Sequence, residues 1–332
     1  MSMLRRLPAL LASLKLTLAL LLVAAVVLLW GRVVEQDLTR LLVLPFGGLA
    51  LNLLAAIHKH ERLRRQRGLL VFHVGLAALA LVAALGRLMS LQGHVEIAEG
   101  TLFDASAVVA NVAPFHAWTL DRAEFVQGPF IIRYDPGMQR RETDSTVLLP
   151  DGQGGWHEKV VGDDRPLVIG AYRLYTTPNK GFAPVLTWTG ADGQSVTGSV
   201  HLPSYPMNYE NQGNEWPLPD GSRNLVVWLE MPTQVFDENG PWSFRPPTDA
   251  KLALVDGDHR VVLAPGEEAE IGGGRVRYDR LAGWMGYTIF YDPTLPWLAA
   301  LAAVAVLGLA WHVLTKLRGL TEGPAWEGGS HD

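Results

Sequence analysis

Cysteine is absent from this 332-residue chain, and its absence excludes both a disulfide framework and thiol exchange by the protein itself. Also missing are a phosphate-cradling glycine loop followed by Lys, a Gly-x-Ser-x-Gly nucleophile elbow, and a His-Glu-x-x-His zinc helix. Nothing replaces them, because no set of acid, base and nucleophile stands out. Asp163-Asp164 and Glu267-Glu268 are carboxylate pairs, but neighbours on a strand point to opposite faces, so they read as turn and solubility residues. Excess positive charge is lacking too. The formal net charge is -5 and the basic residues cluster beside apolar runs, so nucleic acid is not an expected partner. The chain carries no repeat of fixed period and no low-complexity tract.

What the chain does have is four apolar runs, Leu14 to Trp30, Leu41 to Ile57, Leu69 to Met89 and Leu295 to Leu314. Each is close to the ~20 residues that cross a hydrocarbon core as a helix. Arg5 and Arg6 before the first run resemble a signal peptide, but Trp30-Gly31-Arg32 follows instead of a small-residue cleavage site. The first run is therefore expected to remain as a helix. Basic residues collect in short cytoplasmic loops. Here they are Arg5, Arg6 and Lys15, the loop from His58 to Arg67, and Lys316 with Arg318. If each run spans once, all three sets share one side. Both termini are then cytoplasmic, and the segment from Ser90 to about Pro293 lies across the membrane, in a periplasm or its equivalent. The expected domains are a membrane domain over 1–89, a periplasmic β-rich domain over 90–293, a fourth transmembrane helix over 294–315 and a cytoplasmic tail over 316–332. The Gly-rich, acidic end of that tail reads as disordered.

Between Thr143 and Ile289, short β-branched and aromatic runs are broken by Gly, Asp and Pro, the signature of an all-β domain. Expected strands are Ser145 to Leu149, Leu167 to Tyr175, Val185 to Trp188, Ser195 to Val200, Leu225 to Leu229, Leu252 to Val255, Arg260 to Leu263, Arg275 to Tyr278 and Tyr287 to Tyr291. Asp192-Gly193, Asp256-Gly257 and glycines 272 to 274 supply hairpin turns. The fold class is thus four transmembrane α-helices with an all-β domain, a sandwich or open barrel, inserted between helices three and four. Leu202 to Asp220 carries prolines 203, 206, 217 and 219 with Tyr205, Met207, Tyr209 and Trp216. That proline density predicts an excursion from the sheet, either a docking surface or a cap over it.

Strongly polar residues inside a span are functional candidates by default. They are Asn52, His73 and His312. At ~1.5 Å rise per residue each histidine lies roughly 5 to 8 Å inside the cytosolic end of its span, so the two share a leaflet. Two imidazoles from different helices can ligate a haem iron; alternatively each hydrogen-bonds a neighbouring helix or snorkels to the headgroups. His58 and His60 flank Lys59 in the basic loop and read as facing lipid headgroups. His94, His116, His157, His201 and His259 are scattered without ligand spacing.

Several segments together resemble the ResB family of cytochrome c biogenesis proteins. They are Leu11-Ala12-Ser13-Leu14-Lys15-Leu16-Thr17, Leu51-Asn52-Leu53, Phe72-His73-Val74-Gly75-Leu76 with Gly86, and Ala98-Glu99-Gly100. In the exported part the similarity continues through Asp144-Ser145-Thr146-Val147, Asp164-Arg165-Pro166-Leu167, Gly170-Ala171-Tyr172-Arg173-Leu174-Tyr175 and Tyr291-Asp292-Pro293. Order and topology carry the resemblance, since each motif is short. Thr294 departs from the family's Gly after Asp-Pro, the exported domain is short for the family, and the tryptophan-rich haem motif of the family's partner protein is absent.

The resemblance implies a non-catalytic subunit of a System II cytochrome c synthase (haem lyase) complex in the bacterial inner membrane. Its cargo would be haem b, with His73 as an axial ligand to the iron; no family position corresponds to His312. Implied partners are a ResC or CcsA type membrane haem handler, apocytochrome c and a thioredoxin-like reductant. The alternative is a membrane-anchored β-domain scaffold, or an assembly factor for a respiratory complex, that binds no haem.

Overall fold

The computed structural model describes residues 10–34, 36, 38–231 and 235–321. Arg5, Arg6 and the tail beyond Thr321 lie outside them. The chain packs as two compact units, one of Met1–Leu91, Val112–Ala117 and Asp292–Asp332, the other of Gln92–Asn111 and Trp118–Tyr291.

The first unit is helical. Its helices are α1 (Leu14–Val33), α2 (Val43–Lys59, after a 3-10 turn over Thr39–Leu42), the short α3 (Glu61–Arg65), α4 (Arg67–Met89) and α5 (Leu295–Thr321). Counting Thr39–Lys59 as one, four helices among the described residues are long and apolar enough to cross a membrane by length and composition. Their apolar residues run around the whole circumference, as lipid-facing helices require. The expected spans stop short at α1, which runs on to Val33, and at α5, which continues past Leu314 through the good helix formers Lys316 and Arg318 to Thr321.

Small residues let these helices approach. A Cβ on Gly68 would sit 2.6 Å from the His312 backbone N, and one on Gly308 2.6 Å from that of Phe72. Gly75 faces Ala305 at 3.1 Å and Gly86 faces the Thr294 hydroxyl, so a glycine stripe on α4 receives α5 along its length. On another side of α4, Ala80 packs with Leu49 and Ala50 of α2, backed by Leu20 and Phe46. At the start of α5, Asp292 accepts the Thr294 N–H and hydroxyl at 2.9 and 2.6 Å and a hydrogen bond from Arg87 at 2.9 Å. Thr294, the departure from the family pattern, thus spends its hydroxyl on Asp292, while its carbonyl accepts the Leu298 N–H at 2.9 Å in the first turn of the helix.

The second unit is β. A seven-stranded sheet contains β1 (Leu91–Ala98), β2 (Val109–Val112), β6 (Leu167–Ile169), β7 (Tyr172–Thr189), β8 (Ser195–Ser199), β14 (Glu268–Ile271) and β15 (Gly274–Tyr291). Its order is β2-β1-β15-β7-β6, with β8 on β7 and β14 on β15. A second sheet, β13-β12-β10-β9, is built from β9 (Gly213–Pro217), β10 (Asn224–Glu230), β12 (Lys251–Asp256) and β13 (His259–Leu263). The third, β11-β3-β4-β5, is built from β3 (Val126–Asp135), β4 (Gln139–Pro150), β5 (Trp156–Val161) and β11 (Trp242–Phe244). Pairing is antiparallel, and β7 and β15 form an 18-residue ribbon from Arg275 opposite Thr189 to Tyr291 opposite Tyr172.

The strands thus sort into three sheets where the sequence suggested one sandwich or open barrel, and they begin at Leu91 rather than Thr143. Expected strands Arg275 to Tyr278 and Tyr287 to Tyr291 are two ends of β15. Leu167 to Tyr175 instead divides into β6 and the start of β7 around Gly170, whose φ is +59°. The three expected glycine turns close hairpins β7-β8, β12-β13 and β14-β15. The proline-rich stretch is half excursion and half strand. Residues up to 212 loop over the sheet, with Tyr205 buried, whereas Gly213–Pro217 pairs with β10 and ends at its proline.

A buried polar triad ties the first and third sheets. Tyr287 Oη donates to Gln127 Oε1 at 2.7 Å, Ser145 Oγ lies 2.7 Å from Tyr287 Oη, and Gln127 Nε2 donates to Ser145 Oγ at 2.9 Å. Burial pushes the Tyr287 phenol well up, so it stays a neutral donor.

Candidate functional site

His73 lies midway along the first half of α4, partly buried. Its Nδ1 is 2.8 Å from the Leu69 carbonyl one turn back, and its ring meets Phe72 edge-on at 5.1 Å. Leu69 O can only accept, so the neutral ring is protonated at Nδ1 and presents a lone pair at Nε2. At ~100° per residue His73 shares a stripe with Ala77, Ala80 and Ala84, the side of α4 that receives α2.

His312 sits elsewhere. It belongs to α5, whose backbone lies on Gly68 in the glycine stripe. It lines a cleft of about 350 Å³ with Gln66, Arg67, Gly68, Trp311, Thr315 and Lys316. Its level is that of Gly68, five residues or ~7 Å along α4 from His73. The two histidines therefore issue from different sides of the helix pair.

Asn52 is 3% exposed and fully engaged. Its Oδ1 accepts the Thr17 hydroxyl at 2.7 Å, and its Nδ2 donates to the Leu11 and Ser13 carbonyls. It fastens the beginning of α1 to α2. His58 and His60 are exposed. In the β unit, His201 stacks on Trp284 with ring centres 5.8 Å apart and approaches Glu96 at 3.5 Å. Among the described residues no three His, Cys, Asp or Glu side chains gather into a metal-binding group.

The structure adds one group that the sequence concealed. Lys180, in the middle of β7, is 3% exposed. Its Nζ donates to Tyr134 Oη and lies 4.7, 5.7 and 5.9 Å from the ring centres of Tyr134, Phe244 and Trp242. Tyr134 and Trp242 stack at 4.4 Å across the β3-β11 pair, and Phe182, Phe244 and Tyr205 continue the aromatic core. Burial, helped by the Arg140 cation, lowers Lys180 to about 8; burial likewise pushes Tyr134 up to about 12. An amine so enclosed meets no substrate. It joins β7 to β3 and β11. In sequence, Asn179-Lys180-Gly181 gives no sign of this burial.

A cleft of about 440 Å³ lies between Glu99, Phe130, Asp144 and Arg245, but its carboxylates are occupied. Asp144 pairs with Arg133 at 2.7 Å and Arg165 at 3.2 Å, and burial raises Glu99, whose carboxylate faces the Gly283 N–H and Arg280. Asp163 accepts from Arg140 and from Thr176, and Glu267 accepts the Ala264 N–H in a turn.

Among solved structures the chain is similar to "Cytochrome c Heme Lyase CcmF", at 12% identity and a TM-score of 0.27, covering 90% of this chain and 34% of that one. The chain thus spans about a third of that protein's length, and at this score the likeness says nothing of function. No curated protein matches the chain. The model of the ResB-like family, in contrast, matches residues 59–319, well over half of the sequence, from the basic loop through α4 and the β unit into α5; the chain belongs to the ResB-like family.

Proposed function

We propose that this chain is the ResB-like subunit of a System II cytochrome c maturation complex, and that it helps to bind haem b and deliver it across the membrane for covalent attachment to apocytochrome c. The observation that carries the proposal is the family match over residues 59–319, which supports a role in cytochrome c biogenesis. In this reading the four apolar helices span the bacterial inner membrane, the termini are cytoplasmic and the β unit is periplasmic. The cleft that brings Arg67 and Lys316 together supports one basic, cytoplasmic end for α4 and α5.

The residues fit the cargo at one point. His73 presents Nε2 with its tautomer fixed by Leu69 O, the arrangement by which outer partners orient a ligating imidazole. We assign the iron to His73 alone on this chain, with the second ligand coming from a ResC or CcsA type partner. His312, on another side of the helix pair, serves the basic cleft. No acid, base or nucleophile set accompanies His73, so the chain binds and orients while bond formation belongs to the partner. A chain without cysteine supplies no thiol of its own to keep the apocytochrome reduced, and we place a thioredoxin-like reductant among its partners for that step.

The test is the visible spectrum of the detergent-purified complex, co-expressed with a ResC or CcsA type partner, for the parent chain and His73→Ala. A reduced low-spin haem spectrum weakened or lost in the variant is expected. An assembled complex in which neither form holds haem refutes the ligand assignment and favours a membrane-anchored scaffold.

A further inference from the structure

Between Asp104 and Asp121 the sequence contains no Asp, Glu, Lys or Arg. That is a long uncharged stretch for a connection between strands. Its middle, Val112–Ala117, packs with the helical unit. The attachment is made through backbone. Phe115 N–H donates to the Leu88 carbonyl at 2.9 Å and Ala113 N–H to the Ser90 carbonyl at 3.0 Å. His116 Nδ1 lies 3.1 Å from the Met89 carbonyl, and Arg40 donates to the Val112 carbonyl at 2.7 Å. These partners are the last residues of α4 and the turn that begins α2, so the segment is fixed at one end of the helices.

What it shows to the outside is apolar. Ala113 is buried beneath it, while Val112, Pro114, Phe115 and Ala117 are exposed, Phe115 at 68%. An aromatic ring that bare, held by hydrogen bonds its own backbone makes, is not there to fill a core. At the same end of the helices stand Trp30, near the end of α1, and Trp297, in the first turn of α5, both more than half exposed. Amphipathic aromatics gather at the boundary between acyl chains and headgroups.

We propose that Val112–Ala117 is an interfacial anchor, dipping Phe115 into the headgroup boundary of the outer leaflet beside Trp30 and Trp297. The partner is the lipid surface itself. Backbone bonds to Leu88 and Ser90 set the depth of the segment by the depth of α4, and the uncharged flanks allow it to lie there without burying an ion. Arg40, at the same level, keeps its guanidinium on a protein carbonyl at this boundary. The anchor rests on the proposed spanning orientation of the four helices.

The absence of native cysteine makes the test direct. Phe115→Cys, Leu85→Cys and Met207→Cys, each in the full chain, are labelled with a nitroxide and reconstituted into vesicles of phosphatidylethanolamine and phosphatidylglycerol. Collision of the label with oxygen and with a water-soluble nickel chelate is then measured. Leu85, an exposed residue of α4, marks the acyl region, and Met207, 84% exposed in the β unit, marks water. The Phe115 label is expected to favour oxygen over nickel several-fold more than the Met207 label, and less than the Leu85 label. A Phe115 ratio equal to that at Met207, with Leu85 in lipid, overturns the anchor and leaves the spanning helices intact. Water access at Leu85 overturns the spanning orientation, and the anchor with it.

Discussion

Replacing Lys180 by Met should change how stability depends on pH more than it changes stability at neutral pH. Burial holds Lys180 at about 8 in the folded chain against an ordinary 10.5. A lysine lowered on folding binds its proton less readily folded than unfolded, so between those values the unfolded state carries more proton and stability rises with pH. The penalty is fully present below pH 8, at roughly 3 kcal/mol, and fades as pH approaches 10.5. From about pH 7.5 to about pH 9.5 the parent chain should gain about 2 kcal/mol from this group. For a unit of this size that is a rise of about 4 to 8 °C in Tm. Tyr134, pushed up to about 12, acts in the opposite sense above pH 10, where its phenol ionises first in the unfolded chain. The scan therefore stops below that.

Lys180→Met keeps the volume and removes the charge. At neutral pH it relieves the desolvation, but it loses the bond to Tyr134 Oη, about 1–3 kcal/mol, and the cation over three rings, about 0.5–2 kcal/mol. The terms nearly cancel, so the slope and not the midpoint is diagnostic. Thermal unfolding of both chains in detergent, followed by tryptophan fluorescence, is the assay. A parent Tm that rises across this range while the variant's stays flat is expected. Parallel curves would refute the buried-amine account.

The glycine seam gives a second prediction. Gly68→Ala puts a Cβ 2.6 Å from the backbone of His312, where no flexible tip can yield, so it should lower the unfolding midpoint in mixed dodecyl sulfate micelles. Gly47→Ala, which meets nothing within 4 Å, should be silent or stabilise α2 by up to about 1 kcal/mol; equal effects from the two would sink the seam. Tyr287→Phe leaves Gln127 and Ser145 buried without their phenol partner and should cost about 1–3 kcal/mol. A denaturation midpoint unchanged in Tyr287→Phe would show that the triad contributes no stability.

How far the sequence could be read depends on whether the signal was local. The apolar runs could be located because crossing a bilayer demands ~20 consecutive apolar residues, a requirement no distant contact can replace. Asp192-Gly193 and Asp256-Gly257 could be read because the positive φ of a tight hairpin turn selects its residues locally. β7 and β15 could be read only in pieces at their ends, not as continuous strands. Gly181 and Gly283 look like breaks, yet each sits where a ring presses on the strand: a Cβ on Gly181 would meet the Trp284 indole at 2.5 Å, and one on Gly283 would meet the Phe130 ring at 2.9 Å. Pro184 and Pro178 lie within the same ribbon, near its irregular pairings. The strands Leu91–Ala98 and Val126–Asp135 lay outside the expected β region, although Asp135-Pro136-Gly137, with Gly137 at φ +79°, marks the turn that ends the second of them.

For the candidate site the division is similar. That His73 and Asn52 were worth attention followed from sequence alone, because a polar group in an apolar run has to be accounted for. Which of them is structural did not follow. Asn52 is consumed by Thr17, Leu11 and Ser13, which lie more than thirty residues away, whereas His73 has only its own helix's carbonyl and keeps Nε2. Lys180 could not be found at all, since its enclosure is built by Tyr134, Trp242 and Phe244 from strands it never neighbours in sequence. Sequence by itself determined the apolar helices, the lack of thiol chemistry and the family, because these depend on composition and on order along the chain. Only the tertiary structure decided which polar groups are spent on holding the protein together, because desolvation and hydrogen bonding depend on what surrounds a side chain in space.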